Sequence, residues 1–416
     1  MLRASTTLVL SAALLLGAAA PLGGCGRKQR PAEGAAGEQQ PDKTFRLGAF
    51  MSLTGDTAQY GLSAMNGIRL AVEEANARGG VAGRRVELIV QDTRSDAAET
   101  ERVVRRLAAE SRAHALIGEI VSSRSLAAAP VAQAERVVML TPSSTSPEVT
   151  AVGDFIFRSC YTDPFQGAAL AQFAAHTLGA RRAALLFDDA QAYSVNLKNI
   201  IREEFARQGG EVVAEQPYQA GAADFSVPLA EVGLARPDVI FIPGYYLEAG
   251  LMARQARSIG ITAPLVGGDG WDSPRLFEIG GEALAGDFFS SHFSADDSSP
   301  RAVRFVEDYR RLFTLTPDAF AATAYDAARI LLDAAARAGS FDRQAVRDAL
   351  AATRDFPGVT GDVTFDSARN AVKPIFIIRI EDLGRNSVRE RITPDQIAPP
   401  ATPTPSPTPR RRRRAR

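Results

Sequence analysis

The 416-residue sequence is poor in the residues that carry most site chemistry: it has two cysteines, three histidines and one tryptophan, and aromatic residues make up only 7% of it. Cys25 and Cys160 cannot build a disulfide framework, and Cys160 reads as a buried, inert thiol. His114, His176 and His292 stand far apart with no metal-ligand spacing around them, so neither a structural metal nor a cofactor is expected. A G-x-S-x-G elbow, a G-x-G-x-x-G turn after the first strand and a P-loop are all missing, which argues against an enzyme. Beyond the first two dozen residues no apolar run is long enough to span a bilayer, and no repeat of solenoid length is visible.

What the ends contain is more specific. Arg3 followed by an apolar run from Leu8 to Ala20 is the pattern of an export signal. The run is short for a membrane span, and Leu22-Gly23-Gly24-Cys25 resembles the lipobox of bacterial lipoproteins, in which the cysteine is acylated after cleavage. The alternatives are an uncleaved anchor or a chance cysteine. Gly26 to Lys43 then reads as a polar tether. At the far end, the Pro/Thr/Ser-rich stretch from Pro394 to Pro409 favours an extended, unpacked linker. Arg410 to Arg414 with Arg416 form a basic tail, either a contact for anionic lipid or envelope polymer or a solvated end. These arginines lie outside the span that holds all 48 acidic residues, so the body is mildly acidic although the chain is formally neutral. Nucleic acid is not an expected partner.

Between the ends, 45% hydrophobic and 23% charged residues describe a globular chain long enough for two cores of ordinary domain size. Short apolar runs alternate with amphipathic stretches of helical length. Phe45 to Met51 and Val86 to Val90 read as strands, and Met65, Ile68, Val72 and Ala75 recur at helical spacing before Gly79-Gly80 stops the helix. Ala115 to Gly118, Val137 to Leu140, Ala183 to Phe187, Val239 to Ile242 and Leu265 to Val266 are further strands. This βα beat predicts an α/β fold with parallel sheets covered by helices on both faces.

In such sheets a ligand sits beyond the carboxyl ends of the strands. Those positions are rich in hydroxyls: Ser122-Ser123, Ser143-Ser144-Thr145, Gly244-Tyr245, and the glycine-flanked Asp269. Ser122 stands where a strand passes into a helix, so it either caps that helix or joins its free N–H groups in an anion site; Thr145 allows the same two readings. Asp269 is either a solvated turn residue or the holder of a cation. Tyr60, Tyr193 and Tyr245 each follow a strand and offer a flat apolar face with a hydroxyl at its tip. An anion site plus one carboxylate is complementary to a zwitterion, and burial of an amino acid requires both charges to be met.

These same residues carry a family resemblance from about Phe45 to about Asp382. Met51-Ser52-Leu53-Thr54-Gly55, Gln59-Tyr60-Gly61, Asn66-Gly67, Asn76-Ala77-Arg78-Gly79-Gly80, Thr141-Pro142-Ser143-Ser144-Thr145-Ser146-Pro147-Glu148, Arg254-Gln255-Ala256-Arg257 and Gly268-Asp269-Gly270 resemble the leucine/isoleucine/valine-binding proteins and their amide-binding relatives. The resemblance implies two doubly wound three-layer lobes, the type I periplasmic binding protein fold, joined by three crossovers near Asp163, Ser290 and Asn370, with the ligand in the cleft. Residues 44–163 and 291–370 would form one lobe and 164–290 with 371–393 the other, flanked by a signal peptide (1–24), the tether (25–43) and a disordered tail (394–416). It further implies that Ser122 and Thr145 hold the ligand carboxylate. The backbone carbonyl of Ser143 and Asp269 would hold its ammonium, while Tyr60, Tyr193, Tyr245 and Phe320 line the pocket. Asp269 stands where many relatives have Glu, the usual cysteine pair is missing, and Trp271 has no assignable counterpart. The implied role is a monomeric, exported, lipid-anchored binder of an amino acid serving the permease of an ABC transporter. A sensor subunit of the same fold, or a binder of an amide or aromatic acid, is the alternative.

Overall fold

The alternation of apolar runs and helices resolves into two parallel sheets in the computed structural model, which describes residues 44–382 and 385–397. The signal sequence, Cys25, the tether and the arginine tail lie outside the described residues. In the first lobe the chain runs β1 (Thr44–Met51), α1 (Ala58–Ala77), β2 (Arg85–Asp92), α2 (Ala97–Arg105), β3 (Ala115–Ile117), α3 (Ser122–Ala134), β4 (Val138–Thr141), α4 (Glu148–Ala151) and β5 (Ile156–Arg158). It then enters the second lobe as α5 (Asp163–Gln172), β6 (Arg182–Asp188), α6 (Ala192–Arg207), β7 (Glu211–Tyr218), α7 (Ser226–Ala235), β8 (Val239–Ile242), α8 (Tyr246–Ser258), β9 (Leu265–Gly267), α9 (Pro274–Gly280) and β10 (Phe288–Ser291). A return to the first lobe supplies α10 (Pro300–Phe313), α11 (Ala319–Ala338), α12 (Arg343–Ala351) and the short antiparallel strands β11 (Phe356–Gly358), β12 (Gly361–Phe365) and β13 (Ala371–Val372). The hairpin β14 (Ile375–Asp382) and β15 (Arg385–Ile392) closes the second lobe.

The two sheets share one topology. The first has the order β2-β1-β3-β4-β5, and the parallel part of the second has β7-β6-β8-β9-β10, which is the same order, with β14 and β15 added antiparallel beside β10. In each, the order reverses beside its first strand, and loops that leave on opposite sides of that point open a crevice. Residues 159–162 join β5 to α5, 292–299 join β10 to α10, and 373–374 join β13 to β14, so the chain passes three times between the two sheets. Both faces are covered, so strands such as β1, buried at Phe45 and from Leu47 on with Thr44 and Arg46 half-buried, read as near-continuous apolar runs.

Close helix packing holds the first lobe. α1 lies against the alanine-rich α11, and Gly67 makes that possible, because a Cβ there would sit 2.1 Å from the carbonyl oxygen of Ala321. α1 ends at Gly79 and Gly80, both with positive φ, where the Gly80 N–H donates to Ala75 O at 2.8 Å. One expectation is corrected at the other end: Pro394–Gln396 form a helical turn capped by Thr393, and Ile397 packs on the second core. The folded body therefore runs about four residues into the stretch read as linker, because Gln396 Oε1 accepts from the Thr393 N–H and Ile397 has apolar surface to bury.

Candidate ligand-binding site

On the first lobe, three strand ends converge. Tyr60 lies in the first turn of α1, Ser122 opens α3, and Ser143 and Thr145 belong to the loop after β4. Buried Glu119 fixes the segment between β3 and α3: it accepts from Ser52 Oγ (2.5 Å), Thr93 Oγ1 (3.0 Å) and the N–H groups of Ile120 (2.8 Å) and Val121 (2.9 Å). The N-cap of α3 is Val121, which brings no capping side chain, so Ser122 is the first helical residue and not the cap. Its Oγ accepts from the Ser146 N–H at 3.3 Å, linking the two hydroxyl-bearing loops at the positive end of α3.

The β4 loop is held from below by Arg158, whose buried guanidinium donates to Ser144 O (2.6 Å), to Ser146 O and to Asn370 Oδ1 (3.0 Å). Ser144 Oγ bonds the Glu119 and Ile120 carbonyls at 3.1 and 3.0 Å. The Ser143 hydroxyl is engaged with Thr323 Oγ1 at 2.7 Å, which leaves the backbone of Ser143 as its polar group toward the cleft.

The second lobe contributes the charge. Asp269 begins a single helical turn after β9; its Oδ1 accepts from Tyr193 OH at 2.8 Å, its Oδ2 lies 3.1 Å from His292 Nε2, and its N–H donates to Gln166 Oε1 at 2.9 Å. Ser290 Oγ holds the same Gln166 oxygen at 2.7 Å. Tyr245 stacks on Tyr193 with centroids 5.5 Å apart. Trp271, unassigned from sequence, is fully buried: its Nε1–H donates to Ile242 O at 3.1 Å, and its ring fills the space that a Cβ on Gly267 would need. It is a packing residue of the second lobe.

The lobes meet over this site. Tyr60 OH donates to Gly270 O and accepts from the Tyr246 N–H at 3.3 Å, and Tyr246 OH donates to Asp56 O at 3.1 Å. Tyr60 also packs on Phe320 of α11, centroids 4.4 Å apart. A small cavity remains between them. All eight residues singled out from sequence, Tyr60, Ser122, Ser143, Thr145, Tyr193, Tyr245, Asp269 and Phe320, line it, together with Ile120, Val121 and Gly270.

Asp269 is the one lining side chain with a carboxylate or basic group. Burial pushes the phenols of Tyr60, Tyr193 and Tyr245 above their ordinary value, so they serve as neutral donors and walls. Behind Thr145, burial pushes the Asp163 carboxyl up to about 7, against the opposing effect of the Thr145 hydroxyl. Sequence reasoning missed Glu119, Arg158, Gln166 and His292. Glu119 and His292 each follow a short apolar strand, so the strand-end rule applied to charged and aromatic residues, and not only to hydroxyls, would have found them. Among the described residues no group of three His, Cys, Asp or Glu is placed to hold a metal, and no helix is long and apolar enough to cross a membrane.

The model of the family described as periplasmic binding protein matches residues 44–385. The chain is 26% identical over 341 residues to the Leu/Ile/Val-binding protein BraC3 of Rhizobium johnstonii, a match that covers 82% of this chain and 92% of that one. Among solved structures, the leucine-binding protein LivK of Thermotoga maritima is 39% identical with a TM-score of 0.81, covering 84% of this chain and 99% of that one. LivJ of Streptococcus pneumoniae, a branched-chain amino acid transporter substrate-binding protein in complex with isoleucine, is 33% identical with a TM-score of 0.81, covering 85% and 100%.

Proposed function

The chain belongs to the periplasmic binding protein family, a binding protein and not an enzyme, and we propose that it captures a free amino acid with an aliphatic side chain and presents it to an ABC transporter permease. The observation that carries this reading is charge complementarity within one small cavity. Ser122 opens α3 at its positive end, Thr145 lines the same cavity, and Asp269 is the lone carboxylate among the lining residues. In this reading Ser122 and Thr145 take the ligand carboxylate, and the Ser143 carbonyl and Asp269 take the ammonium. Ile120, Val121 and the faces of Tyr60, Tyr245 and Phe320 offer apolar walls for an aliphatic side chain. LivJ of Streptococcus pneumoniae, seen with isoleucine, supports a branched-chain ligand.

Because the ligand would touch both lobes, binding favours the closed arrangement by the difference in affinity between closed and open forms. Export as a lipoprotein acylated at Cys25 would keep the receptor beside its permease, and a monomer suffices for that task. Calorimetric titration with the natural amino acids tests the ligand class. Leucine, isoleucine or valine should bind, and Asp269→Ala should weaken binding by about 2–5 kcal/mol, roughly thirty-fold or more; a variant that binds as the parent does would refute the ammonium assignment. Cys25→Ser should leave the membrane fraction, and its retention there would refute the anchor.

A further inference from the structure

Behind Asp269, away from the cavity, the three crossovers bring together a buried polar cluster to which the proposed binding mechanism gives no role. His292 follows β10, Tyr161 follows β5, and Lys373 precedes β14. The imidazole is fully buried and lies on the Tyr161 ring with centroids 3.8 Å apart. Its Nε2 faces Asp269 Oδ2 at 3.1 Å, while its Nδ1 is buried without a hydrogen-bond partner among the described residues. A carboxylate oxygen can only accept, so the Nε2 carries a proton, and the second nitrogen is the one left to titrate.

Accepting the reading of the site given above, we propose that His292 is a positioning residue of the ammonium subsite: as a neutral N–H donor it orients Asp269 toward the ligand, and as an imidazolium it competes with the ligand for that carboxylate. Tyr193 and His292 grip the two oxygens of Asp269 from different elements, which fixes the plane of a side chain one methylene shorter than glutamate. Neutrality matters because Asp269 can attract an ammonium only while its charge is not already matched within the protein.

The groups facing His292 set its protonation. Burial depresses it, the hydrogen bond and charge of Asp269 oppose that, and the Lys373 ammonium depresses it further. Lys373 is itself buried and held down to about 8, with its Nζ on Thr360 Oγ1 and Asp326 opposing the shift. Tyr161, Cys160 and Asp163 complete the cluster; burial pushes the thiol up to about 12, the phenol well above its ordinary value and the Asp163 carboxyl up to about 7, so thiol and phenol are neutral where His292 titrates. An ammonium bound at Asp269 disfavours a second positive charge on His292, and linkage makes the converse hold: protonating His292 expels the ligand.

The test is the dissociation constant of leucine between pH 8 and pH 4.5 for the full chain, its His292→Gln variant, which keeps an N–H donor and has nothing to titrate, and His292→Phe, which keeps the ring and loses the donor. The ratio of the parent constant to that of His292→Gln should be flat near neutrality and rise below the histidine pKa toward tenfold per pH unit. At pH 8, His292→Phe should bind at least tenfold more weakly than His292→Gln. A flat ratio throughout, with both variants equal to the parent, would overturn the inference. Should His292→Phe fail to fold, the ratio for His292→Gln and the imidazole pKa read by NMR with and without leucine still decide it: the ligand should lower that pKa, and an unmoved value overturns the proposal. If the parent binds no amino acid at any pH, the reading of the site fails first; if it binds leucine and Asp269→Asn does not, while the His292 variants match the parent, only the histidine inference fails.

Discussion

Tyr60→Phe isolates lobe closure from ligand contact more cleanly than any other change at the site. The phenylalanine keeps the ring that packs on Phe320 and meets Tyr246 edge-on at 5.2 Å, and removes only the hydroxyl. That hydroxyl makes two bonds across the cleft, donating to Gly270 O and accepting from the Tyr246 N–H, and neither exists when the lobes are apart. Each such bond contributes about 1 kcal/mol net. The closed state should therefore lose about 2 kcal/mol, a change of roughly thirty-fold in the dissociation constant, expressed mainly as faster release. Stopped-flow fluorescence gives the rates, and a thermal melt with and without leucine separates the states. The liganded protein should melt earlier and the unliganded protein nearly as before. An affinity within threefold of the parent, or an equal loss in both melts, would refute the account in which this hydroxyl acts only on closure.

The contact of Asp272 with Asp318 predicts a second pH effect. They come from opposite lobes, joined where the Ala319 N–H bonds Asp272, and burial pushes them up to about 7 and about 6, with the Asp318 charge adding to the rise of Asp272. Carboxyls raised in the closed form bind more protons there than when the lobes part, so closure is favoured at low pH and weakens as pH rises through 6 to 7. Both side chains keep some solvent contact, so screening should hold the loss of leucine affinity between pH 6.5 and 8.5 to about threefold; Asp318→Asn should reduce it and the double variant Asp272→Asn/Asp318→Asn abolish it, and a persistent slope in the double variant would exclude the pair as its source. Arg158→Met should cost about 3 kcal/mol or more in denaturant unfolding and also weaken leucine binding, because two carbonyls of the Ser143–Ser146 loop lose their buried donor; a loss of stability with unchanged affinity would show that the loop holds its shape without it. Gly67→Ala should destabilise the chain by about 1–3 kcal/mol by forcing α1 off α11, and a melting temperature equal to the parent's would mean that the helices separate without cost.

How far these features were legible in the sequence follows from the range of the forces that make them. The strands Thr44–Met51, Arg182–Asp188 and Val239–Ile242 were readable because burial on both faces writes a continuous apolar run. Ile156–Arg158 is equally buried but only three residues long, and Glu211–Tyr218 lies at a sheet edge where polar residues interrupt the pattern, so neither stood out. In the antiparallel hairpin, β15 is polar and only Ile392 is fully buried, so it carries no apolar run, whereas β14 has the buried run Ile375–Ile378 and went unread. In the site, the residues that were found follow strands within their own lobe, where the strand-end rule works from local sequence alone, except Phe320, which opens α11 and came from the family resemblance. Those missed depend on chain segments that meet only through folding. Gln166 and Asp269 are 103 positions apart, His292 and Tyr161 come from different crossovers, and Arg158 reaches Asn370 across 212 positions. A charged or aromatic residue at a crossover carries no periodic signature, because no single secondary element places it. The same reason makes these residues the ones that couple the lobes: a side chain held by two crossovers at once must respond when the lobes rotate about them, whereas Ser122 or Thr145 moves as part of one rigid lobe. His292, gripping Asp269 from the crossover after β10, is therefore where a change outside the cavity should alter affinity without touching the ligand.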